Sequence, residues 1–185
     1  TAPEAPAGLQ VVVNGGDITY SWQANTESDL AGYNVYNIVG NYYELLNTAP
    51  LTVTEFLFED APDDTYRFGI KAVDTFGNES DVSEIVSATV YTPIITQPET
   101  PVADPALVIT GSNADPASTV SIFVNDSPVA NVPADDSGNF TCELTLTSGQ
   151  NIITAQAIEA DGNISNLSAP IHVIYSAIPA APTGL

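Results

Sequence analysis

The stretch "AVDTFGNESD", Ala72 to Asp81, returns in altered form as "AIEADGNISN", Ala157 to Asn166. Each copy follows a run of strict apolar alternation. In "TYRFGIKAV", Tyr66, Phe68, Ile70 and Ala72 share one face while Arg67 and Lys71 take the other. Such period-two patterning is that of a half-buried β-strand. Gly77-Asn78 and Gly162-Asn163 then supply the positive-φ positions of a tight reversal, and the chain returns through "EIVSATVY" and "PIHVIYS". The same closing hairpin used twice predicts two separate β-cores in one chain.

The rest of the sequence agrees. Runs of four to eight alternating residues recur between clusters of Gly, Asn, Asp and Pro, and no stretch of helical length carries a 3.6-residue period. In "DITYSWQ", Ile18, Tyr20 and Trp22 face one way and Thr19, Ser21 and Gln23 the other; in "AGYNVYNIV", Tyr33 and Val35 share a face. The expected class is all-β: two tandem antiparallel β-sandwiches joined by a Pro-rich linker. The linker reading rests on "TPIITQPETPVADPAL", which carries Pro93, Pro98, Pro101 and Pro105. The boundaries expected are a first sandwich over 1–92, a linker over 93–100, a second sandwich over 101–175, and a further linker or module start over 176–185. The opening "APEAPAGL" and closing "IPAAPTGL" echo each other, so the chain is expected to be a piece of a longer array.

Charge excludes more than it names. Twenty-three acidic residues face two basic ones in 185 residues, a net charge of −21. Such a chain repels nucleic-acid phosphates and anionic membrane surfaces. Hydrophobic residues at 44% suffice for packed cores, and no apolar run reaches the roughly 20 residues that span a bilayer. The lone Cys142 forms no internal disulfide and alternates with Phe140, Leu144 and Leu146 in "FTCELTL", as a small core residue would.

At this point a resemblance enters. Residues 1–92 are similar to a bacterial fibronectin type III module, through "PAGL" (Pro6 to Leu9), Trp22 in "YSW", "SDLAGYNVY" (Ser28 to Tyr36) and "YRFGIKAVDTFGNES" (Tyr66 to Ser80), with Tyr66 at the family's core tyrosine position. Residues from about 100 to 175 resemble the bacterial Ig-like repeats of long surface proteins. The carriers there are "ITGSNADPASTVSIFVND" (Ile109 to Asp126), "ADDSGNFTCELTL" (Ala134 to Leu146) and "NIITAQAIEADGNIS" (Asn151 to Ser165). Phe140 stands where that family often has tryptophan. The resemblance implies sandwiches that act as spacers, without catalysis, in an extracellular or cell-surface protein of a bacterium or archaeon.

Chemistry is sparse. One histidine, His172, and one cysteine allow neither a Ser/His/Asp arrangement nor a zinc site. No catalytic residue and no resident cofactor is expected. Calcium is the sharpest alternative, since hard oxygen ligands gathered in loops suit it; the candidates are Glu27, Asp29, Asp74, Glu79, Asp104, Glu159 and Asp161. Asn-x-Ser/Thr triplets mark Asn78, Asn125, Asn139, Asn163 and Asn166 as candidate glycosylation sites. Phe76 sits at a loop tip as a candidate contact. Tyr36, Tyr42 and Tyr43 could stack on sugar rings. Pro182 and Leu185 are expected to touch a neighbouring module or a second copy.

Two functions follow as expectations. The first is a spacer in an adhesin stalk or filament subunit, whose partners are neighbouring modules of the same chain or other copies of itself. The second is an accessory module of a secreted carbohydrate-active enzyme, with weak contact to a glycan or surface protein.

Overall fold

The computed structural model describes residues 1–177, and the expected contacts of Pro182 and Leu185 lie outside them. The chain divides into two compact units, Thr1–Val90 and Tyr91–Leu185. All regular structure among the described residues is strand.

The first unit holds β1 (Gln10–Asn14), β2 (Asp17–Ser21), β3 (Leu30–Val39), β4 (Tyr42–Leu45), β5 (Glu55–Phe58), β6 (Asp64–Asp74) and β7 (Val86–Val90). They form a three-stranded sheet in the order β1-β2-β5 and a four-stranded sheet in the order β4-β3-β6-β7. The second unit holds β8 (Ile94–Ile95), β9 (Ala106–Ser112), β10 (Thr119–Val124), β11 (Ser127–Pro133), β12 (Phe140–Thr145), β13 (Gly149–Ile158) and β14 (Ile171–Tyr175). Its sheets run β12-β9-β8 and β11-β10-β13-β14. Each strand of the first unit therefore has a counterpart in the second, in the same place and sense.

Alternation selects the core. Ile18, Tyr20, Val35, Phe68, Ile70 and Ala72 fill the first and are fully enclosed. The Tyr20 and Phe68 rings lie 3.8 Å apart, and Trp22 meets Tyr33 edge-on at 5.2 Å. Tyr66 is half-buried, and its hydroxyl donates back to Pro62 O at 2.9 Å, tying the start of β6 to the preceding corner. Ile109, Val120, Ile122, Phe140, Ile153 and Val173 fill the second core, and Cys142 points into it.

The proline-rich segment expected as a linker is part of the second unit. Ile94 and Ile95 pair with Ser112 and Gly111 of β9. Beyond Pro98 and Pro101, Val102 bridges Tyr175 in the opposite sheet, its N–H donating to Ile174 O at 2.9 Å. The segment is thus an edge strand that changes sheets. Prolines fall where it leaves one ladder for the other, a place that needs no N–H donor. Tyr91 already lies in the second core, while Val90 lies in the first.

The repeated phrase has a purpose that alternation does not reveal. β7 pairs with β6 only from Asp64 to Phe68. Beyond that, two buried serines take the strand's place. Ser83 N donates to Ile70 O at 2.9 Å, and Ser83 Oγ accepts from Ile70 N at 3.0 Å. Ser80 treats Ala72 in the same way, at 2.9 and 3.0 Å. The second unit repeats this: Ser168 serves Ala155 and Ser165 serves Ala157, with hydroxyl contacts of 2.9 Å each. Each hydroxyl then donates to the carbonyl of the following residue.

Two stability outcomes follow. Ser165→Ala or Ser168→Ala leaves a buried strand N–H without its acceptor, and a destabilisation of about 1–3 kcal/mol is expected in denaturant titration. Tyr20→Phe has the opposite sign. The Tyr20 hydroxyl is buried without a partner, so its removal should leave thermal stability unchanged or raise it by about 1 kcal/mol.

Candidate functional site

Three regions gather polar chemistry. The first is the set of loops that end the hairpins. Asp74 Oδ1 accepts from Phe76 N at 2.9 Å and Asn78 N at 2.8 Å, and Oδ2 accepts from Asn78 Nδ2 at 2.7 Å. Gly77, at φ 81°, closes the turn by donating to Asp74 O. Asn78 is not in the positive-φ region, so glycine alone meets the turn's conformational demand. The "DDSGN" loop, Asp135 to Asn139, builds the same turn, with Asp135 Oδ1 accepting from Ser137 N and Asn139 N.

In "EADGN" a glutamate replaces the first aspartate. The capping duty passes to Asp161, which accepts from Asn163 N at 3.1 Å and Asn163 Nδ2 at 3.0 Å. Glu159 turns instead to the Tyr91 hydroxyl at 3.0 Å. The electrostatics follow the contacts. The Asn78 amide, with the turn N–H groups, holds Asp74 below the usual carboxylate range. The Asn139 and Ser137 N–H groups do the same for Asp135. Burial pushes Glu159 up; hydrogen bonds from Tyr91 and Asn163 oppose the rise, and the charges of Asp115 and Asp161 add to it.

The second region is the outer face of the β4-β3-β6 sheet. Glu79 accepts from Tyr36 OH at 2.6 Å and Asn34 Nδ2 at 2.7 Å, and pairs with Lys71 at 3.0 Å. Lys71 Nζ lies 5.7 Å from the centre of the Tyr36 ring. Burial raises Glu79, but these three donors outweigh it and hold its pKa low; burial and Glu79 push Tyr36 up to about 12. Lys71, expected as a water-facing cation, is half-covered by this network, whereas Arg67 is exposed. Tyr43 meets Tyr36 edge-on at 6.1 Å, and Tyr42, 69% exposed, stands beside it on the sheet edge. Only these two tyrosines offer open faces to a flat ligand such as a sugar ring; Tyr36 is committed to Glu79.

The third region is an open cavity of about 270 Å³ lined by Asp115, Ser118, Glu159 and Asp161, among others. Burial, and then the charge of Asp161, raise Asp115.

The calcium candidates scatter across these places. Glu27 Oε1 accepts from Glu4 N at 2.7 Å, and that bond with others lowers its pKa. The Asp29 carbonyl accepts from Thr75 N, and Asp104 caps Ala106 N at 2.9 Å. Asp74 and Glu79 leave the same turn on separate networks. Among the described residues, no three His, Cys, Asp or Glu side chains come together as a metal site. The candidate glycosylation asparagines are used structurally. Asn78, Asn139 and Asn163 donate their amides to turn carboxylates. Asn125, at φ 51°, occupies a two-residue hairpin and accepts from Ile152 N. The Asn166 N–H donates to Tyr91 O. The serines of the Asn78, Asn163 and Asn166 triplets are the buried ladder residues. Phe76 is 82% exposed at its loop tip.

No family model matches the chain. It is 39% identical over 89 residues to an amylopullulanase of Thermoanaerobacterium thermosulfurigenes, a match spanning 45% of this chain and 4% of that protein. An amylopullulanase of Thermoanaerobacterium saccharolyticum is 36% identical over 89 residues, 6% of its length. Among solved structures, the fibronectin(III)-like modules of Clostridium thermocellum CbhA align over 92% of this chain and 95% of theirs, at 17% identity and TM-score 0.38. A fibronectin III-like protein of the same organism covers 47% of this chain and 92% of its own, at 25% identity and TM-score 0.40. Each unit is a two-sheet antiparallel β-sandwich with its own core. The second unit repeats the strand order of the first. No described helix is long and apolar enough to cross a membrane.

The charge pattern gives a pH-dependent outcome. The folded state raises the proton affinity of Glu159, so its ionised form opposes folding above the folded pKa. Glu159→Gln should therefore raise the melting temperature at neutral pH by an amount worth less than about 1 kcal/mol. The gap should close as pH falls below about 4, where glutamate in the unfolded chain is protonated too.

Proposed function

We propose that this chain is a pair of non-catalytic accessory modules in a large extracellular, polysaccharide-degrading protein, holding functional domains at a spacing. The carrying observation is the match to amylopullulanases, in which a stretch of this length is a small fraction of the whole protein. The doubled strand order supports a spacing role, because each unit is a sandwich with its own core. Its partners are then neighbouring modules of the same chain, and its acidic surface keeps it apart from phosphate-rich surfaces.

The test uses the chain alone. Native electrophoresis through gels containing soluble starch or pullulan should show unchanged mobility, and no glucan should be hydrolysed. Retardation that Tyr42→Ala and Tyr43→Ala together remove would replace the spacing role with a glycan-binding one.

A further inference from the structure

The first hairpin of the chain turns on Asn14, Gly15, Gly16 and Asp17. Asn14 and Asp17 are the last pair of the β1-β2 ladder. Gly15 and Gly16, at φ 61° and 93°, make the two-residue reversal. The two halves of this turn are held differently. Gly16 is buried, and its carbonyl accepts from Ala61 N at 2.9 Å. Asp17 Oδ1 accepts from Asp60 N at 3.0 Å. Asn14 and Gly15 are exposed, and a Cβ placed on Gly15 would meet nothing within 4 Å. Among the described residues, neither the Asn14 side-chain amide nor the Gly15 N–H has a hydrogen-bond partner.

Those two free groups are mutually reactive. A backbone nitrogen can attack the side-chain carbonyl of the asparagine that precedes it, and a side chain on the attacking residue hinders the approach. Glycine has none, and Asn14-Gly15 is the only Asn-Gly step in the chain. The other turn asparagines run in the opposite order. Asn78, Asn139 and Asn163 follow glycine and precede Glu79, Phe140 and Ile164. Their amides are held by the carboxylates of Asp74, Asp135 and Asp161.

We propose that Asn14 is a site of spontaneous deamidation, and that its conversion loosens the edge hairpin of the first unit. Gly15 N, after giving its proton to solvent hydroxide, bonds to Asn14 Cγ. The Cγ–Nδ2 bond breaks, and the nitrogen leaves as ammonia with a proton from water, which regenerates hydroxide. A cyclic imide then joins the two residues, and water opens it. Cleavage of the new Cγ–N bond gives aspartate. Cleavage of the bond between N and the backbone carbonyl carbon gives isoaspartate, with the main chain rerouted through Cγ. No atom is oxidised or reduced. Asn14 must leave its extended conformation for the attack. Only the terminal pair of the edge strand β1 has to open, beside two glycines, and such ends open at low cost. Either product acts on the hairpin. The new carboxylate stands directly opposite Asp17, where like charges repel across the ladder. Isoaspartate also adds a main-chain atom, which disturbs the register that keeps Val13 in the core. This proposal does not depend on the spacing role.

The test is peptide mapping by mass spectrometry of the full chain, incubated in mildly alkaline buffer made with H₂¹⁸O. One sample is folded and a parallel one is unfolded in guanidinium chloride. In the folded chain, the peptide spanning Asn14 should exchange NH for ¹⁸O before any other asparagine does. Isoaspartate in that peptide should be a substrate for protein isoaspartate methyltransferase. Asn14→Gln should remove the product and leave the rest of the map unchanged. The incubated wild-type chain should melt at a lower temperature than the fresh one. Fresh Asn14→Asp, which adds the charge alone, should melt lower by roughly 1–8 °C. Conversion of Asn14 in the unfolded sample but not in the folded one would show that the hairpin protects it, and would overturn the proposal. So would earlier conversion of another asparagine in the folded chain. An unchanged melting temperature once Asn14 is converted would overturn the loosening.

Discussion

The backbone of the central strand in each unit must keep its hydrogen bonds after its neighbour has left. β6 runs to Asp74 and β13 to Ile158, but β7 and β14 accompany them only part of the way. Ile70, Ala72, Ala155 and Ala157 are fully enclosed, so water cannot take over. A serine at each step supplies an acceptor through its hydroxyl and a donor through its N–H. One residue thereby satisfies both polar groups of its partner. The segment between hairpin and returning strand is held flat against the sheet without being a strand, and the loops beyond it are fixed in place.

Those loops owe their shape to a second economy. An aspartate two residues before a turn amide collects the N–H groups that a tight reversal leaves over. Where glutamate replaces it, at Glu159, the longer side chain overshoots the turn. Asp161 steps in, and Glu159 becomes free to reach Tyr91. A single added methylene thus hands the capping of the turn to the next carboxylate along the loop.

Much of the fold is legible in the sequence because one face of each strand is buried. Period-two alternation in "DITYSWQ" and "TYRFGIKAV" marks the core side of β2 and β6 correctly, and the repeated phrase marks two closures. What alternation cannot carry is a residue whose role is polar and buried. The serines of "NESDVS" and "NISNLS" look like ordinary turn composition, and three of them sit inside apparent glycosylation triplets. Asn151, fully enclosed, is likewise indistinguishable from a surface asparagine until its bonds to Thr147 and Gly149 are seen. The proline-rich segment misleads for a related reason. Proline reports a missing N–H donor, which suits a free connector and a sheet-changing edge strand equally well. Asp115, which lines one open cavity with Glu159 and Asp161, lies far from both in sequence and in no motif with them.

The junction between Val90 and Tyr91 bears on how such a chain can be cut and rejoined. With consecutive residues anchored in different cores, no residue at this junction can be lost without reaching into one interior. A recombination point at Thr92 or Thr100 would strip the second unit of Tyr91, and at Thr100 of β8 as well. Gene shuffling that moves these modules intact must therefore break immediately after Val90, a tolerance of one peptide bond.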